Sequence, residues 1–252
     1  MVRIIMSGCN GYMGRVVTEI VAADEDAEIV AGIDLVDNQD KTYPVFTNIA
    51  DCDVPADVVI DFSSPKALDG LLSYCTEKKV AVVFCTTGYS DGQLAQIKAA
   101  ADKTAVMKSA NMSLGINMLL KLIKDAAKLL APAGFDMEIV ERHHNLKVDA
   151  PSGTALALAD SLNEALDQQY EYKYDRSQER RRREKYEIGI SAVRGGNIVG
   201  EHEVIFAGLD EVIEFKHTAY SKSVFAKGAV QAAKYMKDKP AGFYDMGDVV
   251  CG

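Results

Sequence analysis

Short apolar runs alternate with amphipathic stretches in the first half of the chain. Runs with the length of buried strands lie at residues 4–6, 29–33, 58–60 and 80–84, and helix-compatible stretches lie between them at 16–22 and 65–77. Because strands that alternate with helices form parallel sheets, this order predicts an α/β fold with a Rossmann-like dinucleotide-binding domain. Each predicted strand ends in polar or glycine residues, where the loops of an open parallel sheet receive ligands.

The pattern changes after about residue 113. The predicted elements are then a helix at 114–130, a strand at 137–141, a helix at 154–166, and strands at 187–193, 198–206 and 211–217. Turn signals at 194–197 and 208–210 predict hairpins, so we expect a second, α+β domain with a mostly antiparallel sheet. The amphipathic stretch 224–237 is expected to pack back on the first domain. The predicted division is residues 1–112, completed by 222–252, and residues 113–221.

Composition narrows the class of protein. Of the 252 residues, 48% are hydrophobic and 26% are charged, which is ordinary for a globular protein. The net charge of −9 disfavours nucleic acid as a partner. No apolar run reaches the roughly 18 residues that a membrane helix needs, and the first residues do not resemble a secretion signal. Five cysteines without a CxxC pair predict a reduced, cytoplasmic chain with neither disulfides nor zinc.

A glycine-rich loop follows the first predicted strand and opens a helix. It consists of Gly8, Cys9, Asn10, Gly11, Tyr12, Met13 and Gly14. In this context glycines allow a tight turn and let the backbone approach a pyrophosphate, which the helix amides then bind. The spacing is GxxGxxG, a less diagnostic variant of GxGxxG, and the alternative is a tight turn without a ligand. We expect a dinucleotide cofactor here.

Asp34 closes the second predicted strand about 20 residues after the loop, where a carboxylate accepts hydrogen bonds from the adenosine ribose. The alternative is a turn aspartate at a strand end. Leu35, Val36 and Asp37 offer no cation for a 2′-phosphate, and Lys41 is the nearest basic side chain. The sequence therefore predicts a preference for NADH over NADPH.

Two further loops are candidates for the cofactor crevice. Thr86, Thr87 and Gly88 follow a predicted strand, and Ser109, Ala110, Asn111 and Met112 follow another candidate strand at 105–107. Both loops lie at strand ends of the predicted parallel sheet, the edge at which such sheets bind ligands. Cys85 has no histidine nearby in the sequence, which favours a small buried residue over a thiol nucleophile.

A short polar segment holds two adjacent histidines, His143 and His144, together with Lys147. Imidazole can donate a proton near neutrality, and lysine offers a persistent charge for a carboxylate. Ser152, Gly153 and Thr154 begin the next predicted helix, so their amides and hydroxyls form a candidate carboxylate nest. The alternatives are solvated histidines and a helix start without a ligand. The segment predicts acid chemistry on a small anionic substrate.

The remaining histidines and a basic run have simpler interpretations. His202 and His217 lie in other predicted strands without metal-ligand spacing, so we interpret them as structural and expect no metal. The run Arg180-Arg181-Arg182-Arg183 has acidic neighbours, which favours a solvated or intersubunit loop over a nucleic-acid site.

These residues resemble a known family. The segment Glu141-Arg142-His143-His144-Asn145-Leu146-Lys147-Val148-Asp149-Ala150-Pro151-Ser152-Gly153-Thr154 is similar to the histidine and substrate motif of the 4-hydroxy-tetrahydrodipicolinate reductase (dihydrodipicolinate reductase) family. The likeness extends to residues 8–14, 61–63, 85–88, 193–196, 199–202 and 242–246, and so covers nearly the whole chain.

The resemblance implies reduction of 4-hydroxy-tetrahydrodipicolinate by NADH or NADPH in diaminopimelate and lysine biosynthesis, within a homotetramer. It implies a cofactor domain closed by the C-terminal helix, and a second domain that binds the substrate and assembles the oligomer. By resemblance, His143 protonates the reduced ring, Lys147 donates a proton and holds the substrate, and His144 with Ser152, Gly153 and Thr154 binds a carboxylate. Cys85 belongs to a stretch shared with the family. Lys222 stands where the family often has an arginine near the cofactor, and Asp34 replaces a more frequent glutamate.

Two rival functions remain open from the residues themselves. A nicotinamide-linked amino acid or semialdehyde dehydrogenase would share the first domain, but would not need the histidine and Ser-Gly-Thr arrangement. A regulator that senses NADH without turnover would not need an acid.

Overall fold

The computed structural model describes residues 1–37 and 41–251, and the chain forms two compact units. Unit one comprises Met1–Leu114 and Ser223–Gly252, and unit two comprises Gly115–Lys222. The strands are β1 (Val2–Ser7), β2 (Ala27–Ile33), β3 (Val45–Phe46), β4 (Val58–Asp61), β5 (Ala81–Phe84), β6 (Ala105–Lys108), β7 (Asp136–His143), β8 (Glu171–Lys173), β9 (Glu187–Arg194), β10 (Gly200–Ala207), β11 (Val212–Ala219) and β12 (Gly242–Tyr244). The α-helices are α1 (Tyr12–Ala22), α2 (Leu68–Lys78), α3 (Asp91–Ala100), α4 (Leu114–Leu130), α5 (Gly153–Ala165), α6 (Ser223–Met236) and α7 (Met246–Cys251).

Unit one is built on a parallel sheet with the order β12-β6-β5-β4-β1-β2-β3. Every strand pair in it is parallel, as the alternation of strands and helices predicts. The chain order reverses on either side of β1, and the crevice between the carboxyl ends of β1 and β4 is where such sheets bind ligands. The Rossmann-like fold of this unit is thus confirmed.

Helices cover both faces of this sheet, which explains the continuous apolar runs of its strands. On one face, α1 and α6 pack over residues such as Ile4, Val58 and Val83. On the other face, α2 and α3 share a core with alternate residues of the same strands, among them Ile5 and Val82. In the central strands β4 and β5, every residue is buried, and the one polar residue is Asp61 at the end of β4.

Unit two contains a mixed sheet with the order β11-β10-β7-β9-β8. Strand β10 is antiparallel to both β7 and β11, but β7 and β8 are each parallel to β9. The prediction of a mostly antiparallel sheet is therefore only partly correct. The turn at 208–210 does join the hairpin β10–β11, whereas the turn at 194–197 joins β9 to β10 without a hairpin, because β7 lies between these two strands. Turn residues indicate a reversal of the chain but not which strands pair afterwards.

One face of the mixed sheet packs on α4 and α5. The helices contribute Ile123 and Leu158, and the strands contribute Ile139 and Phe206, to a core in which each of these side chains is fully buried. Helix α4 has the predicted bounds. In the part of the chain that the structure describes, no helix is both long enough and apolar enough to cross a membrane.

Candidate active site

In the glycine loop between β1 and α1, the backbone packs so closely on neighbouring backbone that two positions accept only glycine. Gly8 has a φ of +81°, and a Cβ there would lie 2.5 Å from the carbonyl oxygen of Phe62. At Gly14 a Cβ would lie 2.2 Å from the carbonyl oxygen of Gly8. Gly11 is less constrained, because a Cβ there would lie 3.3 Å from the same oxygen. The first and last glycines therefore bring the start of α1 against the end of β1.

The start of α1 has the features of an anion-binding helix terminus. Its N-cap is Gly11, whose lack of a side chain leaves the first amides without a side-chain cap, and its first turn holds no acidic residue. Tyr12 is 65% exposed, and Met13 packs against the core. Because free amides and the positive end of the helix dipole favour negative charge, this terminus suits a pyrophosphate. Burial beside Asp34 raises the pKa of the loop's Cys9 to about 11, so its thiol stays neutral.

Asp34 connects the end of β2 to the glycine loop. Its carboxylate accepts hydrogen bonds from the amides of Asn10 and Leu35, each at 2.8 Å. It lines a cavity of about 530 Å³ together with Gly8, Gly11, Lys66 and others. Two amides leave the carboxylate further acceptor capacity, so it can still accept from a ribose hydroxyl.

The strand ends beside the loop converge on a buried aspartate, at one of the polar strand ends that the sequence predicts to receive ligands. Asp61, at the end of β4, accepts from the hydroxyls of Ser7 at 2.9 Å, Ser63 at 2.5 Å and Tyr89 at 3.1 Å. Burial and the charge of Asp61 raise the pKa of Cys85, which favours the interpretation of Cys85 as a structural thiol. The polar end of an apolar strand is the sequence signal for Asp61, whereas its bonds to Ser7 and Tyr89 depend on the order of the strands.

The other candidate cofactor residues lie at the same carboxyl edge or at a helix start. Thr86 is buried after β5, whereas Thr87 and Gly88 are exposed. Ser109, Ala110, Asn111 and Met112 form the loop after β6, and Lys222 is an exposed residue directly before α6.

In unit two, His143 ends β7 with its ring almost completely buried. Its Nδ1 lies 2.6 Å from Oε2 of Glu141, two residues earlier on the same strand. The ring of His202, from β10, meets it edge-on with centroids 5.1 Å apart. A Cβ on Gly200 would lie 3.1 Å from Nε2 of His143, so that nitrogen faces a position without a side chain. The ring is therefore held at Nδ1, and no side chain at position 200 crowds Nε2.

Glu141 is fully buried and hydrogen-bonded at both oxygens. The guanidinium of Arg194 donates to both, at 2.7 and 2.8 Å, and the amide of Ser152 donates to Oε1 at 2.9 Å. Burial raises the pKa of this carboxyl, but the hydrogen bonds from Arg194, His143 and Ser152 outweigh it and hold the pKa below its ordinary value. Glu141 is therefore a carboxylate at neutral pH, and accepts the proton on Nδ1 of His143.

The two neighbouring imidazoles both favour the neutral form. Burial lowers the pKa of His143, and the hydrogen bond to Glu141 offsets only part of this. Burial, followed by the charge of His143, lowers the pKa of His202 to about 3. A neutral His202 can accept the hydroxyl proton of Ser152, which lies 3.0 Å from its Nε2. His202 thus belongs to this cluster, a role that its spacing in the sequence did not indicate.

At the start of α5, some of the polar groups already bind other groups of the protein. The amide of Ser152 binds Glu141, and its hydroxyl accepts from the amide of Ala155 at 3.2 Å, which caps the helix. Around Gly153 a Cβ would meet nothing within 4 Å, and Thr154 is half-buried. Of the predicted nest, Gly153 is exposed, whereas the amide of Ser152 is already bound to Glu141.

Lys147 and His144 lie in the loop between β7 and α5. The ammonium of Lys147 pairs with Asp149 at 2.8 Å, and its backbone amide donates to the carbonyl oxygen of His144 at 3.2 Å. The hydrogen bond from the ammonium of Lys147 holds the pKa of Asp149 below its ordinary value. Arg194 also donates to the carbonyl oxygen of Asp149 at 2.6 Å. The loop is therefore anchored to the same guanidinium that holds Glu141.

Two arginines of the basic run 180–183 are bound by acidic side chains. Arg183 donates to Asp136 at 2.7 Å and to Glu138 at 3.0 Å, both on β7, and Arg181 pairs with acidic side chains nearby in sequence. Among residues 1–37 and 41–251, no group of three or more His, Cys, Asp or Glu is arranged to hold a metal ion.

Comparisons with known proteins cover both units. The family profile "Dihydrodipicolinate reductase, N-terminus" matches residues 2–112, and "Dihydrodipicolinate reductase, C-terminus" matches residues 115–250. A 4-hydroxy-tetrahydrodipicolinate reductase from Clostridium tetani is 52% identical over 246 residues, which cover 98% of this chain and 96% of that protein. The enzyme of the same name from Clostridium novyi is 50% identical over 250 residues, 99% of this chain and 98% of its own.

A solved structure shares the fold. It is a dipicolinate-bound dihydrodipicolinate reductase from a Paenisporosarcina species, which matches with a TM-score of 0.80 at 25% identity and covers 97% of each chain.

Proposed function

This chain belongs to the dihydrodipicolinate reductase family, and we propose that it reduces 4-hydroxy-tetrahydrodipicolinate to tetrahydrodipicolinate in the diaminopimelate and lysine pathway. The observation that carries the proposal is the buried His143–Glu141 pair beside the start of α5, in a chain whose other unit has a dinucleotide-binding loop. A cofactor sensor would need the loop alone, and the alternative dehydrogenases would not need the acid.

The reaction needs a hydride, a proton and the loss of water. The reduced nicotinamide supplies the hydride, and the substrate loses its hydroxyl group as water. Hydride addition to the conjugated dicarboxylate leaves an electron-rich ring carbon, which one proton neutralises. Substrate, reduced cofactor and one proton therefore give tetrahydrodipicolinate, oxidised cofactor and water. The protein must bind two anions and place an acid at the ring.

His143 is the acid in this proposal. Its Nδ1 is committed to Glu141, so Nε2 is the atom that takes up and delivers the proton. Glycine at position 200 keeps that nitrogen clear of a side chain. The imidazole is mostly neutral in the free protein because burial lowers its pKa, and a bound dicarboxylate would favour the cationic form.

The carboxylates of the substrate are held by the surrounding loop and helix start. We propose that Lys147 exchanges Asp149 for a substrate carboxylate and serves as a second proton donor. The amides of Gly153 and Thr154, with His144, bind the carboxylates at the start of α5, and Ser152 holds this turn in place through Glu141. The dipicolinate in the Paenisporosarcina reductase supports a small dicarboxylate as the ligand.

NADH is the proposed preferred cofactor, with NADPH as the less favoured one. Asp34 and the exposed Leu35 line the cavity beside the glycine loop, and a 2′-phosphate would meet the carboxylate of Asp34. Lys66 is a cation on the same cavity wall, so the preference is a competition between these two charges. Values of kcat/KM measured with both cofactors decide it, and comparable or better turnover with NADPH would contradict the preference.

Three further expectations complete the proposal. Unit one binds the cofactor through residues 8–14, Asp34 and the loops at 85–87 and 109–112, with Lys222 near the cofactor. Unit two binds the substrate and assembles a homotetramer, which native mass spectrometry can test. Within the described part of the chain none of the five cysteines is in a disulfide, which supports a reducing compartment such as the cytoplasm.

A spectrophotometric assay tests the proposed reaction. The substrate is generated in situ, and oxidation of NADH is followed with the purified chain. We expect substrate-dependent oxidation. Protein that is folded and binds NADH, but does not oxidise it with this substrate, would exclude the proposed reaction and favour a sensor.

A further inference from the structure

We propose that Glu141 is a positioning residue for the reduction: it fixes Nε2 as the proton-delivering nitrogen of His143 and couples that ring to the turn that begins α5. This inference rests on the proposed role of His143 as the acid. Glu141 would not touch the substrate, and would act through His143 and Ser152.

The first support is the complete use of the carboxylate. Oε1 accepts from Arg194 and from the amide of Ser152, and Oε2 accepts from Arg194 and from His143. Two oxygens offer about four lone-pair positions, so these four donors saturate the group. A fully buried carboxylate with every position filled is held in one orientation.

The second support is the consequence for the imidazole. A carboxylate can only accept, so Nδ1 of His143 must carry a proton in both ionisation states. The exchangeable proton therefore belongs to Nε2, the nitrogen beside Gly200, where no side chain crowds it. The edge of His202 restricts rotation of the ring from the side of β10. Without the carboxylate, the neutral ring could place its proton on either nitrogen.

The third support is the pattern of charges around the ring. Glu141, on the ring's own strand, raises the pKa of His143, whereas Lys147 of the following loop and Arg194 of β9 lower it. His202 of β10 stays neutral, and Asp149 is paired with Lys147. Glu141 is therefore the one anion in contact with the imidazole among the described residues, and removing its charge leaves burial and two cations acting in the same direction.

The variant Glu141→Gln tests the inference with two readouts. Because the variant lacks the charge that raises the pKa of His143, we expect the basic limb of kcat/KM plotted against pH to move to lower pH by about one to two units. At neutral pH, kcat should fall by about 10- to 100-fold, more than KM rises. In ¹⁵N spectra of histidine-labelled protein, we expect His143 to be protonated on Nδ1 in the unsubstituted chain, and that preference to weaken in the variant.

Glu203→Gln is the matched control. Glu203 also lies in the mixed sheet and also pairs with an arginine, Arg142, at 3.1 Å, but it is not bonded to His143. Its loss should leave both the pH limb and the His143 spectrum unchanged. A general loss of sheet stability would affect both variants, whereas loss of the positioning effect would affect only Glu141→Gln.

The outcomes separate this inference from the proposed function. An unchanged limb and an unchanged spectrum in folded Glu141→Gln would overturn the role of Glu141. If the variant does not fold, the unsubstituted chain still decides, because a His143 protonated on Nε2 alone contradicts the inference. If the unsubstituted chain is inactive, the proposed reaction fails, and the spectra of the two proteins decide the role of Glu141 independently.

Discussion

At the scale of single residues, the candidate site consists of side chains that constrain one another. The sequence predicts His143 and Ser152 as site residues because a histidine and a helix start carry local signals. The contacts that Arg194 and His202 make with Glu141 and His143 could not be predicted, because they depend on which strands are neighbours: β7 lies between β9 and β10. Local sequence spacing indicates which residue types could react. The partners that shift their pKa values are set by which strands pair and in which register.

Replacement of His143 tests the acid. We expect His143→Ala to lower kcat by about 100-fold or more, the usual contribution of a positioned acid, with a much smaller rise in KM. Steady-state kinetics of folded protein provide the measurement. His217→Ala is the control, since burial also lowers the pKa of this histidine but His217 is not bonded to Glu141. Unchanged turnover in His143→Ala would contradict the assignment.

The pH profile tests the ionisation of the same group. The acid must be protonated to act, and burial lowers the pKa of His143 below the ordinary value of 6.5. The protonated fraction therefore shrinks as pH rises through that lowered pKa, and kcat/KM should fall along this limb. Because kcat reports the substrate complex, where carboxylates favour the cation, its limb should lie at higher pH. Both limbs at the same pH would contradict proximity of the substrate to His143.

At the scale of elements, the long periodic segments could be predicted and the pairing of short ones could not. Helix α4 and the strands of the parallel sheet have strong apolar patterns. Strands β3 and β12 have two and three residues, too few for a period to show. The parallel pairing of β7 with β9 escaped prediction because the glycine turn at 194–197 has the chemistry of a hairpin.

Helix α6 offers a test of packing at this scale. A Cβ on Gly228 would lie 1.7 Å from the carbonyl oxygen of Met112, so Gly228→Ala must push α6 away from backbone rather than from a flexible side chain. We expect the free energy of unfolding to fall by about 3 kcal/mol. Urea unfolding of the two proteins measures it.

Gly92→Ala is the matched control for this helix. Gly92 is an exposed residue of α3, and a Cβ there would meet nothing closer than Ser90 Oγ at 3.9 Å. Alanine should leave stability unchanged or raise it by up to about 1 kcal/mol. Equal effects of the two substitutions would contradict the close packing of α6 on Met112.

At the scale of the whole molecule, the chain has two units with separate cores: the parallel sheet has a core on each face, and the mixed sheet has one. The change of hydrophobic pattern after about residue 113 reflects this difference, because strands covered on both faces read as apolar runs and half-covered strands alternate. The mixed sheet shows that alternation along β7 and β10. Composition limited the class of protein but carried no information on strand order.

Cofactor binding gives a prediction that separates the roles of the two units. A ligand at about 100 times its Kd stabilises the native state by about 2.7 kcal/mol, so NADH should raise the Tm clearly. Gly14→Ala would place a Cβ 2.2 Å from the carbonyl oxygen of Gly8 and should abolish the shift relative to its own cofactor-free Tm. His143→Ala, altered in unit two, should keep it. Loss of the shift in His143→Ala alone would contradict the proposed division of roles.

The most direct test of the reductase assignment follows the transferred hydrogen. The reaction is run with NADH that carries deuterium at the nicotinamide carbon that donates the hydride, and tetrahydrodipicolinate is analysed by mass spectrometry. We expect one deuterium per product molecule from the labelled face of the cofactor, with the second hydrogen derived from solvent. Cofactor oxidation that leaves the product free of deuterium with either labelled face, or folded NADH-binding protein that forms no product, would contradict the reductase assignment.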